Sequence, residues 1–313
     1  MTIQITKAGL QTTIQAGPRI GLRHLGVPTS GAADPLSLAL ANRLVGNALQ
    51  AAALEVTLYG VSLRFGAAMH FALTGATARA ELNGQAITVH KTMAAVAGDE
   101  LHVAAFDAGA RVYVAFAGGL VADDVLGSTS TYLPAGFGGY LGRALLKNDR
   151  LQTRPISMQP EVIQTPEDYQ PLVSRTWALR ACHAPETSLL ADPGRVFDTN
   201  LSVGSRADRM GMQLEGEKID ILSNGRMCSA PVFPGTIQCP EDGQLFILSV
   251  DAQTTGGYPR VGQIARVDRH LLGQIRPGDK LRLLWRDEKT ATDELRAKVE
   301  YWRAWLPTIS SVI

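Results

Sequence analysis

Cysteine is scarce: there are three in 313 residues, Cys182, Cys228 and Cys239, odd in number and never spaced as CxxC. That spacing excludes a disulfide framework and a cysteine zinc site, and leaves small buried apolar residues as the reading. An excess of charge is missing too. Thirty Lys plus Arg stand against 29 Asp plus Glu, a formal charge of +1, so the basic footprint of a protein that tracks nucleic acid or an anionic membrane is absent. Long hydrophobic runs are also lacking. The longest uncharged stretch, 125–142, is broken by five glycines and a proline and makes a poor membrane helix. The first residues, MTIQITKAGLQTTIQAG, alternate in polarity and read as a strand instead of an export leader, so a cytoplasmic chain is expected. HExxH, GxSxG and the phosphate-cradling GxxxxGK[ST] do not occur. The cluster Gly136, Gly138, Gly139 and Gly142 fails as GxGxxG because position 141 is Leu. No bound metal is expected, and no nucleic-acid or membrane partner.

What is present is β periodicity. Short apolar or alternating runs recur between turn signals at 54–58, 61–65, 70–74, 101–106 and 111–116, and again at 245–250, 261–267 and 281–285. Between Ala80 and Ile87 the pair Asn83-Gly84 suits a type I′ hairpin. Gly98-Asp99 and Gly278-Asp279 each precede an apolar strand, either as a duplicated feature or as two good turns. Four prolines between 153 and 171 mark a crossing between halves. The expectation is therefore a mainly β chain with a domain over 1–155, a second over 172–286, and a helical extension over 287–313 that carries Leu295, Val299, Trp302 and Leu306 at helical spacing.

A helix is predicted from Asp34-Pro35 to Gly46-Asn47, with an acid as N-cap and a proline in its first turn. Asn42 shares the row of Leu38 and Val45, so its amide either braces a loop or contacts a ligand. Asp34 is divided in the same way between capping and contact. In the second half, 248–260 delivers Asp251, Gln253, Thr254 and Thr255 onto Gly256-Gly257 and Tyr258. This is either a polar hairpin tip or a site in which backbone N–H groups, hydroxyls and a carboxylate meet a ligand. Arg209, beside Asp208, has the fork suited to a carboxylate or phosphate, or else forms a surface ion pair.

His24-Leu25-Gly26-Val27-Pro28, Ser30-Gly31 and the following helix resemble the opening of the family of ATP-dependent 5-oxoprolinase C subunits, also catalogued as allophanate hydrolase subunit 2. Further motifs follow in the family's order: Ala53 to Leu58, Leu73 to Ala76, Ala117 to Gly119, Leu126 to Ser128, Ala135 to Gly139, Asp208 to Gly211, Leu214 to Gly216, Pro234 to Gln238 and Asp251 to Pro259. The resemblance covers roughly residues 8–285. It implies two cyclophilin-like β-barrel domains, related to part of the carboxyltransferase region of urea carboxylase. It also implies the A and B subunits of 5-oxoprolinase as partners, and the ATP-dependent opening of 5-oxo-L-proline to glutamate. On that reading Asp251 or Asp34 orients water, and Thr254 or Thr255 with the Gly256-Gly257 backbone stabilises an oxyanion. Arg209 grips the substrate carboxylate, and Asn42, Gln253, Tyr258, Ser30 and Gly31 complete the contacts. ATP is used by the complex, and no biotin is held here.

The alternatives are a carboxyltransferase-type subunit of a urea carboxylase or allophanate hydrolase-like system, and a non-catalytic scaffold. The length without a biotin-carrier or ATP-grasp region favours the oxoprolinase. Two departures stand out. Ala16 and Pro18 replace the family's usual acid and glycine around Gly17, and the stretch Asn224 to Cys228 lengthens a connection.

Overall fold

The computed structural model describes residues 1–222 and 227–313. Residues 224–226 of the lengthened connection therefore lie outside the described residues. The chain divides into two compact units. The first comprises Met1–Arg19, Ser30–Val173 and Trp302–Val312; the second comprises Ile20–Thr29, Ser174–Tyr301 and Ile313.

The first unit is a nine-stranded sheet: β1 (Thr2–Lys7), β2 (Gln11–Gln15), β3 (Ala53–Thr57), β4 (Ser62–Phe65), β5 (Met69–Leu82), β6 (Gln85–Ala86), β7 (Met93–Ala95), β8 (Glu100–Phe116) and β9 (Arg150–Gln152). Its main path runs β2-β3-β8-β4-β1-β9, with β5 added on β8. Two predicted strands are one: 101–106 and 111–116 join as β8, because Gly109 turns left-handed at φ 79° and the chain continues instead of reversing. The predicted hairpin forms at Asn83-Gly84, with φ of 53° and 78° and Leu82 opposite Gln85.

Strand alternation gives this sheet two unlike faces. One face carries Ile14, Leu54, Val56, Leu73, Val112 and Val114 into an apolar core closed by Phe65 and Phe71, whose rings lie 5.0 Å apart. The other carries Thr13, Gln15, Glu55, Thr74, Arg111 and Tyr113, all of them buried. Helix α1 (Pro35–Leu44) covers part of this second face, packing Leu38, Ala41 and Leu44 against Ala53, Ala72 and Ala115. Burial on almost every side explains why α1 is apolar nearly all round.

The second unit is a closed seven-stranded barrel in the order β10-β17-β14-β15-β12-β11-β18. Its strands are β10 (Thr176–Cys182), β11 (Leu201–Ala207), β12 (Gly211–Glu215), β14 (Thr236–Gln238), β15 (Phe246–Leu248), β17 (Arg260–Ile264) and β18 (Lys280–Trp285). A two-stranded ribbon of β13 (Ala230–Pro231) and β16 (Thr255–Gly256) stands apart from the barrel sheet, and α2 (Arg195–Asp198) is a single turn. The mainly β reading with few helices holds, and the C-terminal helix is α3 (Glu288–Arg303). Among the described residues, no helix is long and apolar enough to cross a membrane.

Candidate functional site

In the second unit the chemistry-bearing residues gather where β12 begins and the antiparallel β15 ends. Asp208 closes its own turn by accepting the Met210 and Gly211 N–H groups at 2.7 and 3.2 Å. That turn aims Arg209 inward, away from Asp208. Arg209 Nε and Nη2 donate to the two oxygens of Asp251 at 2.7 and 3.0 Å, and the side chains are 4% and 1% exposed. The backbone reinforces the pair, since the Asp251 N–H reaches the Arg209 carbonyl and the Ser249 N–H reaches Met210. A bidentate pair in a dry site satisfies both charges. The Arg209 fork that a substrate carboxylate would grip is thus engaged by Asp251.

Beyond Asp251 the chain leaves the barrel. The Thr254 carbonyl accepts the Val232 N–H at 3.0 Å, and Thr255–Gly256 pairs with Ala230–Pro231. Thr254 is half-buried, Gln253 and Thr255 are exposed, and Tyr258 is 47% exposed. A Cβ at Gly256 would lie 2.7 Å from Gln238 Nε2, so the close approach to this glycine is by the protein's own side chain.

Residues 20–29, far away in sequence, belong to this same unit. Arg23 Nη2 donates to the carbonyls of Val232 and, at 3.3 Å, Gln253, and its guanidinium lies 5.3 Å from the centre of the Phe233 ring. Thr29 Oγ1 reaches the Val250 carbonyl at 3.5 Å. The Arg23 to Pro28 stretch and the Asp251 loop, separate in the sequence, are one locus in space.

The other predicted residues belong to the first unit. Asp34 caps α1: Oδ1 accepts the Ser37 N–H at 3.1 Å and Oδ2 accepts the Ser37 hydroxyl at 2.5 Å. Beneath it the polar face of the sheet takes the backbone. Glu55 Oε2 accepts the Ala33 N–H at 2.9 Å and the Tyr113 hydroxyl at 2.7 Å, while that hydroxyl accepts the Asp34 N–H at 2.8 Å. Arg111 Nε stands 3.3 Å from the other Glu55 oxygen. Burial, then the charges of Glu55 and Asp34, push the Tyr113 hydroxyl well above the usual tyrosine pKa, so it stays a neutral donor. Asn42 gives its amide to the Leu49 and Ala51 carbonyls at 3.2 and 2.9 Å and accepts from Asn47, bracing the loop after α1. Ser30 has φ 48°, and its buried hydroxyl finds no hydrogen-bond partner among the described residues. Gly31, at φ 88°, leaves room for Pro18, whose Cα a Cβ would approach to 3.1 Å. The residue that departs from the family pattern is therefore packed directly against Gly31. Next to it Arg19, 1% exposed, binds the Val125 and Ser130 carbonyls at 2.9 and 2.5 Å and holds the glycine-rich loop.

Sequence reading passed over Arg23, Glu55 and Tyr113. An acid and a tyrosine inside the runs Ala53 to Thr57 and Arg111 to Phe116 were the available signal for the last two. Arg23 gave none, since its partners lie 209 and 230 residues away. Among the described residues, no group of three or more His, Cys, Asp or Glu side chains is placed to hold a metal.

Residues 25–285 match the model of the carboxyltransferase domain, subdomain A and B. The chain is 36% identical over 283 residues to the 5-oxoprolinase C subunit of Escherichia coli, covering 89% of each chain. It is 31% identical to urea amidolyase of Saccharomyces cerevisiae, but spans only 16% of that protein. The crystal structure of Kluyveromyces lactis urea carboxylase superimposes over 100% of this chain and 30% of its own, with a TM-score of 0.90 at 26% identity. Ordered motifs, fold and extent agree, and the chain belongs to the carboxyltransferase subdomain A and B family as a homologue of the 5-oxoprolinase C subunit.

Proposed function

We propose that this chain is the C subunit of an ATP-dependent 5-oxoprolinase, which works with A and B subunits to open 5-oxo-L-proline to L-glutamate. The observation that carries the reading is extent: identity to the 5-oxoprolinase C subunit runs over 89% of both chains, whereas the urea amidolyase match occupies 16% of that protein. An unstrained lactam is a poor electrophile. Transfer of the γ-phosphoryl of ATP to the lactam oxygen releases ADP and activates that carbon; one water adds to it and the ring C–N bond breaks, the nitrogen taking a proton, to give the free amine and an acyl phosphate, and a second water releases phosphate to leave the carboxylate of glutamate.

On this chain we assign the chemistry to the Asp251 loop. Asp251, fixed by Arg209, orients water, and the hydroxyls of Thr254 and Thr255 face the developing oxyanion. Gln253, Gly256, Gly257 and Tyr258 shape the ligand's surroundings. Asp34, Asn42, Ser30 and Gly31 keep the start and end of α1 in place. The carboxyltransferase family model favours a second reading, a urea-type carboxyl-transfer subunit.

The test is reconstitution. The purified chain alone is expected to show no 5-oxo-L-proline-dependent ATP hydrolysis, with turnover appearing on addition of its A and B partners. Turnover by the isolated chain, or a reconstituted complex that consumes urea and ignores 5-oxo-L-proline, rejects the assignment.

A further inference from the structure

Arg23 holds a cation in unusual company. Its hydrogen-bond partners are the carbonyl oxygens of Val232 and Gln253, and its face lies on the half-exposed ring of Phe233. All three are uncharged, so they orient the guanidinium without neutralising it. The second terminal nitrogen, Nη1, is buried and has no hydrogen-bond partner among the described residues. The contrast with Arg209 is direct, for there both oxygens of a buried carboxylate are already in place. Partial burial lowers the Arg23 pKa from its ordinary value, which reports the cost of removing the charge from water without a counter-ion.

Position matters as much as charge. The two carbonyls that hold Arg23 belong to Val232, which follows β13, and to Gln253, two residues after Asp251. The cation is therefore tied by its own bonds to the loop that carries the proposed chemistry. Gln253 and Thr255 are exposed, so this end of the loop is open to a small molecule.

We propose that Arg23 recognises the carboxylate of the substrate, making the ligand class a lactam that bears a carboxylate. This rests on the reading of the Asp251 loop as the substrate site and deepens it, because charge separates the two candidate amides. Urea is neutral and gains nothing from an uncompensated guanidinium. A 5-oxoproline anion supplies the counter-charge that the guanidinium lacks.

The experiment compares 5-oxo-L-proline with 2-pyrrolidinone, the same ring without the carboxylate, by titration calorimetry on the full chain in its reconstituted complex. The wild type is expected to prefer 5-oxo-L-proline by about 10-fold or more, the scale of one charge-assisted contact. Arg23→Gln is expected to erase that preference while leaving 2-pyrrolidinone affinity unchanged, and Arg23→Lys to restore part of it. In turnover, Arg23→Gln should raise KM for 5-oxo-L-proline by a similar factor with kcat nearly constant. Retained preference in Arg23→Gln overturns the proposal and leaves the oxoprolinase reading standing. Equal loss of both lactams marks a structural role for Arg23 and also overturns it. A wild-type complex that acts on urea and binds neither lactam removes both readings together.

Discussion

The two units enter one of their long strands through the same device and load it differently. In the first, the Gly98 N–H donates to the Phe65 carbonyl at 2.7 Å and the Phe65 N–H returns to Asp99 at 2.9 Å. In the second, the Gly278 N–H donates to Val203 at 2.8 Å and the Val203 N–H returns to Asp279 at 2.9 Å. Each aspartate also accepts the N–H three residues earlier, Val96 at 2.8 Å and Arg276 at 3.2 Å, and each glycine sits at positive φ, 97° and 83°. The backbone requirement is thus identical, a left-handed residue followed by a side chain that closes the turn. The surroundings are not. Asp99 adds the exposed Asn83 amide at 2.7 Å, whereas Asp279 is fully buried and takes Trp177 Nε1 and Arg175 Nε, both at 2.9 Å. One turn has been kept as a hairpin fastener, and the other has become a core anchor.

That difference predicts the largest effect. Asp279→Ala strands the buried Trp177 N–H and removes the counter-charge of Arg175 and Arg276, so it is expected to cost about 3 to 5 kcal/mol in chemical denaturation. Asp99→Ala loses only solvated bonds and is expected to cost far less than Asp279→Ala. Equal losses in the two variants would break the comparison, because the turn alone would then set the stability.

Acid gives the second contrast. Each unit buries one histidine: burial lowers His90 in the first to about 4, and burial, then the Lys298 and Arg180 charges, lowers His270 in the second well below its ordinary value. Folded pKa values below the unfolded value mean that the unfolded chain takes up protons first. Stability is therefore complete above about pH 6.5 and falls as the pH drops toward 4, by about 3 kcal/mol for His90 across that window. Denaturation midpoints measured from pH 7 to 4 should fall less steeply in His90→Gln than in the wild type. An unchanged slope removes His90 from the account.

Local structure was legible and long-range pairing was not. Asp34-Pro35 announced a helix start and Asn83-Gly84 a hairpin because caps and tight turns depend on φ, ring geometry and neighbouring side chains alone. The gap at 107–110 read as a break between two strands, yet β8 runs through it, since only the facing β5 decides whether a bulge is tolerated. In the candidate site, the Asp251 loop was visible as a concentration of polar groups after an apolar strand. Its pairing with Arg209 was hidden because the two are 42 residues apart, and the transfer of 20–29 to the second unit because nothing in that segment's composition encodes a partner.

The smallest expected effect tests whether the polar face of the first unit is a held network or a loose layer. The Tyr113 hydroxyl joins the Asp34 N–H at 2.8 Å to Glu55 at 2.7 Å. Tyr113→Phe keeps the buried ring and removes the hydroxyl that accepts that N–H, while Glu55 keeps the Ala33 N–H and Arg111. The cost should be that of one lost buried hydrogen bond, about 1 to 2 kcal/mol. Tyr258→Phe in the second unit, at a side chain 47% exposed, is the control and should stay within about 0.5 kcal/mol. Amide hydrogen exchange locates the change: in Tyr113→Phe, protection should fall at Asp34 and its neighbours in the first turn of α1, with β15 unaffected. If exchange at Asp34 is unaltered, the Tyr113 hydroxyl does not hold its N–H, and the acid and tyrosine of this face are filling space beneath α1.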